Sequence, residues 1–253
     1  MSTQPYVHTS VGPDRITIEF FHPSGNSLPG DLLAQLAAAI RDAETEKPPV
    51  ILLRSAGDRT FCAGASFDEL SSIEDTEQGL RFFSGFANVI NAMRKSPKLV
   101  LTRVQGKAVG GGVGLIAASD HVVASRYASV RLSELAVGIG PFVIGPAVER
   151  KTGLSAFAKM SLTPDEWQTA EWAQQHDLLQ EVFETGEQVD LYIEHLIAKW
   201  NSYSPEALTE LKRVFWQGTD HWDELLTQRA AISGRLVLSE FTRSAIASFK
   251  NKA

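Results

Sequence analysis

The chain holds a single cysteine, Cys62, in 253 residues, so an internal disulfide is excluded. Basic clusters are missing as well. Its 24 Lys and Arg face 30 Asp and Glu for a net charge of −6, and no Lys/Arg run of about five to eight residues occurs, which speaks against a nucleic-acid partner. The longest uncharged stretches, Ala108–Ser119 and Leu135–Val148, are broken by glycines and are shorter than the roughly 18 apolar residues a membrane span needs, so no bilayer crossing is expected. The first ten residues have neither the basic start nor the apolar core of a secretory signal, which makes a cytoplasmic location the expectation. His8, His22, His121, His176, His195 and His221 show no HxxxH, HExxH or Cys/His spacing, so no metal site is expected. There is no GxSxG elbow and no base near Cys62 in sequence; that cysteine reads as a small buried residue at a strand end.

What remains is the composition of a globular protein, 43% hydrophobic and 21% charged, long enough for one sizeable core with an appendage. Ile16, Ile18 and Phe20 alternate as in a strand and run into the turn His22-Pro23-Ser24-Gly25-Asn26. Leu28, Leu32, Leu36 and Ile40 then repeat at helical spacing until Lys47-Pro48-Pro49. The apolar run Val50-Ile51-Leu52-Leu53 predicts a strand buried on both faces, followed by Ala63-Gly64-Ala65 and a helical stretch. Leu99-Val100-Leu101 repeats the plan, with Gly110-Gly111-Gly112 in the place of the first small-residue turn. Strand, small-residue turn and helix thus occur twice, so the two turns are expected side by side with helices outside. His121–Val123 and Ala128–Leu132 add short strands, and from about Pro164 the spacing becomes helical, with the tryptophans expected in core or subunit contacts.

The cluster Gly110-Gly111-Gly112-Val113-Gly114 admits three readings. A P-loop requires Lys and Ser/Thr after the last glycine, whereas Lys107 precedes the cluster. A dinucleotide fingerprint fits by half, since Glu134 lies at the right distance, but short strands replace the βαβ unit that should follow. In the third reading, bare peptide N–H groups at a helix start serve an anion. Paired with the first turn, they would make a two-donor hole for a carbonyl oxygen that becomes negative during acyl or enolate chemistry. Such chemistry needs a base, and Glu134 stands alone between Leu132 and Leu135-Ala136-Val137. An apolar setting raises a carboxyl pKa toward values that suit proton transfer; a helix-capping or salt-bridging glutamate is the alternative.

Four stretches in order resemble the crotonase, or enoyl-CoA hydratase/isomerase, superfamily: HPSGNSL (22–28), DRTFCAGASFDEL (58–70), GKAVGGGVGLIAASDHVVAS (106–125) and LSELAVGIGP (132–141). The resemblance covers roughly residues 10–165. It implies an α/β fold, a crotonase-like spiral of repeated ββα units over residues 1–188 with a helical C-terminal region over 189–253. It also implies that the N–H groups of Ala65 and Gly111 hold the thioester oxygen of an acyl-CoA, that Glu134 is the catalytic residue, and that Ala63, Ser66, Phe67, Gly114 and Phe142 contact substrate, Ala63 at the adenine end. Coenzyme A arrives as part of the substrate, so no separate cofactor is implied. A homotrimer or dimer of trimers is the implied assembly.

The departures from that pattern bear on the reaction. Hydratases of the family hold a water between two glutamates, and the first of those positions is Gly114 here. A lone Glu134 resembles the arrangement of 3-enoyl to 2-enoyl-CoA isomerases, in which one carboxylate takes the α-proton and returns it at the γ-carbon. Phe142 replaces a glycine or aspartate, and Ser66 replaces an aspartate. An isomerase is therefore the leading expectation. A hydratase with an atypical single-Glu site, for a branched or glutaconyl-type substrate, and a non-catalytic CoA-ligand-binding protein are the alternatives. The terminal RSAIASFKNKA keeps the Phe and the Lys residues of the family's tail but not its Glu-Gly pair, a departure that weakens the resemblance's case for a cross-subunit CoA contact there.

Overall fold

The computed structural model describes residues 4–250, so Asn251, Lys252 and Ala253, like the side chains of Phe249 and Lys250, lie outside what is described. After the antiparallel pair β1 (Tyr6–Val11) and β2 (Ile16–Phe21) comes α1 (Gly30–Asp42), and then one unit is repeated three times. The first is β3 (Val50–Ser55), β4 (Thr60–Cys62), the short α2 (Phe67–Ser71) and the long α3 (Thr76–Lys95). The second is β5 (Leu99–Val104), β6 (Lys107–Val109) and α4 (Gly111–Ala118). The third is β7 (His121–Ser125), β8 (Ser129–Arg131), a 3-10 turn at Glu134–Val137 and α5 (Gly145–Leu162). Sequence reading finds only two of these units because the third turn carries no glycine run.

The first strand of every unit enters one six-stranded sheet, ordered β1-β2-β3-β5-β7 and closed at its edge by a later strand, Glu181–Phe183, and the second strand enters a separate four-stranded sheet, β4-β6-β8 followed by another later strand, Gln168–Thr169. Within each sheet the strands contributed by successive units are parallel. This is the α/β spiral of ββα units. The apolar runs are explained by what covers each face: Val50, Leu52, Leu101 and Val123 pack with Val189, Ile193 and Ile197 of a later helix, while Ile51, Leu53 and Val100 join the main core.

Two short strands interrupt the helical character expected from Pro164 onward. β9 (Gln168–Thr169) precedes α6 (Ala170–Gln175), and β10 (Glu181–Phe183) adds to the large sheet parallel to β7. Strands of two and three residues are too short to show an alternation. Four helices follow: α7 (Gly186–Asn201), α8 (Pro205–Phe215), α9 (Trp222–Leu236) and α10 (Glu240–Lys250). They pack onto the units before them. Glycines face each other where α9 crosses α3, such that a Cβ on Gly79 would come within 2.7 Å of the Gly234 Cα, and α8 is tied to the large sheet by a buried ion pair between Lys212 and Asp120. Among the described residues no helix is long and apolar enough to cross a membrane.

Leu28 is not helical. Its N–H donates to Gly64 O at 2.8 Å, in a bridge that joins the start of α1 to the first turn. The N-cap Pro29 has no side-chain acceptor to offer, and Glu69 of α2 replaces one by accepting from Gly30 N at 2.7 Å.

Candidate active site

The three second strands end side by side, with β6 in the middle, and the residues just beyond them meet. Gly64 follows β4 with φ +87, and a Cβ there would lie 2.8 Å from Val109 O and 3.7 Å from Gly111 N, so the first two turns are in contact. Gly110 follows β6 with φ +50 and donates its N–H to Arg131 O at 2.9 Å, which ties the second turn to the end of β8. A Cβ on Gly110 would fall 2.7 Å from Glu134 Oε1. The position needs glycine twice over, for its backbone angle and for the carboxyl group that lies against it.

Gly111 opens α4, a helix whose residues are all buried. As the first helical residue, its N–H has no acceptor within the helix, and the positive end of the helix dipole sits at the same place. Facing it is a cavity of about 70 Å³ lined by Ala63, Ala65, Phe67, Gly111, Glu134 and Phe142, with Leu70, Phe83, Phe86 and Ile144 in its walls. Six of the eight residues singled out in the sequence are thus brought together. Ser66 and Gly114 are not among the lining residues. The Ser66 hydroxyl caps α2 by accepting from Glu69 N at 3.4 Å. Gly114 is packed against Ile144, whose Cγ2 would stand 2.4 Å from a Cβ there, so Ile144 fills the space into which a side chain at 114 would project.

Among the described residues, Glu134 is the one titratable residue that lines this cavity. Its Oε2 is closed off from solvent and has no hydrogen-bond partner among the described residues. Burial pushes its pKa up to about 7, with its own backbone N–H pulling modestly the other way. A carboxyl group at that pKa gives and takes protons readily near neutral pH. Cys62 lies beneath the first turn with its thiol pushed up to about 12 by burial, and its Sγ accepts from Gly64 N at 3.4 Å. It is a neutral packing residue and no nucleophile. Among the described residues no three of His, Cys, Asp and Glu converge where a metal ion would sit.

The walls supplied by α3 are absent from the sequence reading. Phe82, Phe83, Phe86, Ala87, Ile90 and Met93 are buried along it, and their three- and four-residue spacing is the signal that marks the helix. That periodicity locates a buried face, but it carries no mark of the two phenylalanines that reach the cavity.

A family model described as enoyl-CoA hydratase/isomerase matches residues 15–251. The bacillaene synthase dehydratase PksH of Bacillus subtilis is 28% identical over 149 residues, which make up 57% of this chain and 56% of PksH; the chain thus spans about half the length of that relative. The 2,3-dehydroadipyl-CoA hydratase of Escherichia coli is 30% identical over 205 residues, 77% of this chain and 75% of that enzyme. The crystal structure of an enoyl-CoA hydratase from Bacillus halodurans superposes with a TM-score of 0.88 at 21% identity, covering 96% of this chain and 99% of the other, and so has the same fold.

Proposed function

Because the chain belongs to the enoyl-CoA hydratase/isomerase family, we propose that it binds an unsaturated acyl-CoA thioester and shifts its double bond from the 3- to the 2-position. The observation that carries this reading is that, among the described residues, Glu134 is the sole titratable one lining the cavity. The N–H groups of Ala65 and Gly111 donate to the thioester oxygen. The Glu134 carboxylate removes a proton from the α-carbon, and the electron pair of that C–H bond moves into the carbonyl to form an enolate conjugated with the 3,4 double bond. The two backbone donors stabilise the charge on oxygen where it develops. Glu134, now protonated, returns the proton to the γ-carbon, the carbonyl re-forms, and the 2-enoyl thioester results. One base that serves two carbons suffices, and coenzyme A takes part only as the handle of the substrate.

Hydration is the second reading, favoured by the 30% identity to a dehydroadipyl-CoA hydratase over three quarters of both chains. It requires a water held by Glu134 and backbone alone, because Ile144 takes the place of a side chain at Gly114. Incubating the protein with 3-enoyl- and 2-enoyl-CoAs in heavy-oxygen water separates the two. Migration of the double bond without added mass is expected; a product heavier by one labelled water, formed as fast as or faster than migration, overturns the isomerase reading in favour of hydration. The assembly proposed with this function is a cytoplasmic homotrimer or dimer of trimers. Self-association is supported by the apolar stripe Leu211, Val214 and Phe215, exposed at 48, 62 and 44% along one side of α8.

A further inference from the structure

Leu70, on α2, belongs to two hollows at once. On one side it lines the catalytic cavity of about 70 Å³. On the other it lines a cleft of about 490 Å³ between the α2–α3 corner and the C-terminal helices, with Ile73, Val237, Ile246 and Ala247 as its apolar walls and Glu74 and Arg243 as its charged ones. Leu70 itself is 5% exposed, so its side chain is the partition between the two.

A single water needs about 10–15 Å³ of such space, so the smaller cavity takes on the order of five to seven water-sized groups. That matches a thioester carbonyl and a short acyl chain of about four to six carbons. A longer chain that runs inward has to displace a wall, and several walls are packed from behind. Phe83 and Phe86 are buried in the main core, and Ile144 is backed by Gly114. Leu70 has a second hollow on its far side, apolar along Ile73, Val237 and Ile246 and polar at Glu74 and Arg243.

We propose that Leu70 sets the acyl length of the substrate by closing the catalytic cavity off from the cleft under α10. Removing the partition joins the two spaces and lets a long acyl tail lie along Ile73, Val237 and Ile246, with Glu74 and Arg243 left to solvent. The inference rests on the acyl-CoA reading of the site, and the experiment keeps the two apart. Saturated acyl-CoAs from butanoyl to dodecanoyl, which carry no double bond to move, are titrated calorimetrically, and turnover of the matching enoyl-CoAs is measured in parallel. The proteins compared are the parent, Leu70→Ala, and Leu70→Ala with Ile246→Trp to refill the cleft.

In the parent, binding and kcat/KM should fall by about tenfold or more between hexanoyl and decanoyl chains, the discrimination that an apolar pocket exerts against methylenes it cannot hold. Leu70→Ala should bring the long-to-short ratio close to one, and the added Ile246→Trp should restore the parent ratio. A parent that takes decanoyl as well as butanoyl, or a ratio unmoved by Leu70→Ala, overturns the partition. A shifted binding profile with no turnover of any enoyl-CoA upholds the partition and sinks the catalytic reading. If Leu70→Ala does not fold, Leu70→Val makes the same comparison with a smaller opening, and an unmoved ratio there overturns the partition equally.

Discussion

Raising the pKa of a buried carboxyl couples catalysis to stability with opposite signs. Glu134 sits at about 7 in the folded chain against 4.5 for a free glutamate, so between those values the folded state holds a proton that the unfolded state has released. Its contribution to stability is complete below about 4.5 and is lost as pH rises through about 7. Glu134→Gln stays neutral throughout and escapes that loss: its melting temperature should exceed the parent's at pH 8, with the gap closing by pH 5. Turnover follows the other branch, because only the ionised form is a base. The parent rate should climb through a midpoint near 7, and Glu134→Gln should lose about 10²–10⁴ in kcat while still binding CoA esters. A Gln variant that melts like the parent at both pH values would mean that the carboxyl group is not desolvated; near-native turnover would dismiss it as the base.

At the level of elements, the site is a contact among three turns, each delivered by the end of a short parallel strand, and the packing of α4 settles what chemistry those turns can host. Gly114→Glu drives its side chain into Ile144, an overpacking that commonly costs about 1–3 kcal/mol. Pairing it with Ile144→Ala should recover the melting temperature and set a second carboxyl group beside the cavity. If a second acid is all that hydration lacks, the double variant should gain hydration relative to isomerisation in the same assay; a ratio unchanged in a folded double variant refutes that. The first two turns were legible in the sequence because small residues leave a visible gap in an apolar chain, and Glu134 because an acid among Leu, Ala and Val is conspicuous. The repeated plan, the buried strands and the C-terminal helices were legible for the same kind of reason, their apolar periodicity. The third unit was not, since its turn, Ser133–Gly138, lacks a glycine run. Ser66 and Gly114 were assigned to substrate from motif position, which says nothing of side-chain direction: one caps a helix and the other abuts a leucine-sized neighbour, Ile144.

Over the whole molecule, one buried polar knot fastens the C-terminal helices to the large sheet. Asp120 Oδ2 accepts from Lys212 Nζ at 2.5 Å and from Val100 N at 2.7 Å, and its Oδ1 accepts from Trp216 Nε1 at 2.9 Å. The paired side chains are 2 and 3% exposed, and burial holds the Lys212 ammonium below its usual pKa despite the carboxylate beside it. Asp120→Asn keeps the shape but strands that cation, so unfolding in urea should show a loss of about 3–5 kcal/mol with an unaltered slope; a loss under 1 kcal/mol would show that the knot tolerates a neutral partner. The crossing of α3 and α9 carries a different consequence, one of timing. The glycine pair at the crossing admits no bulkier side chains so close, yet its two halves lie far apart in the sequence. The phenylalanine-rich α3 leaves the ribosome long before the helix that lies across it, and contacts so distant in sequence form slowly. For that interval the nascent chain carries an uncovered greasy surface, and the cell must shelter it or finish the chain before neighbouring copies find it.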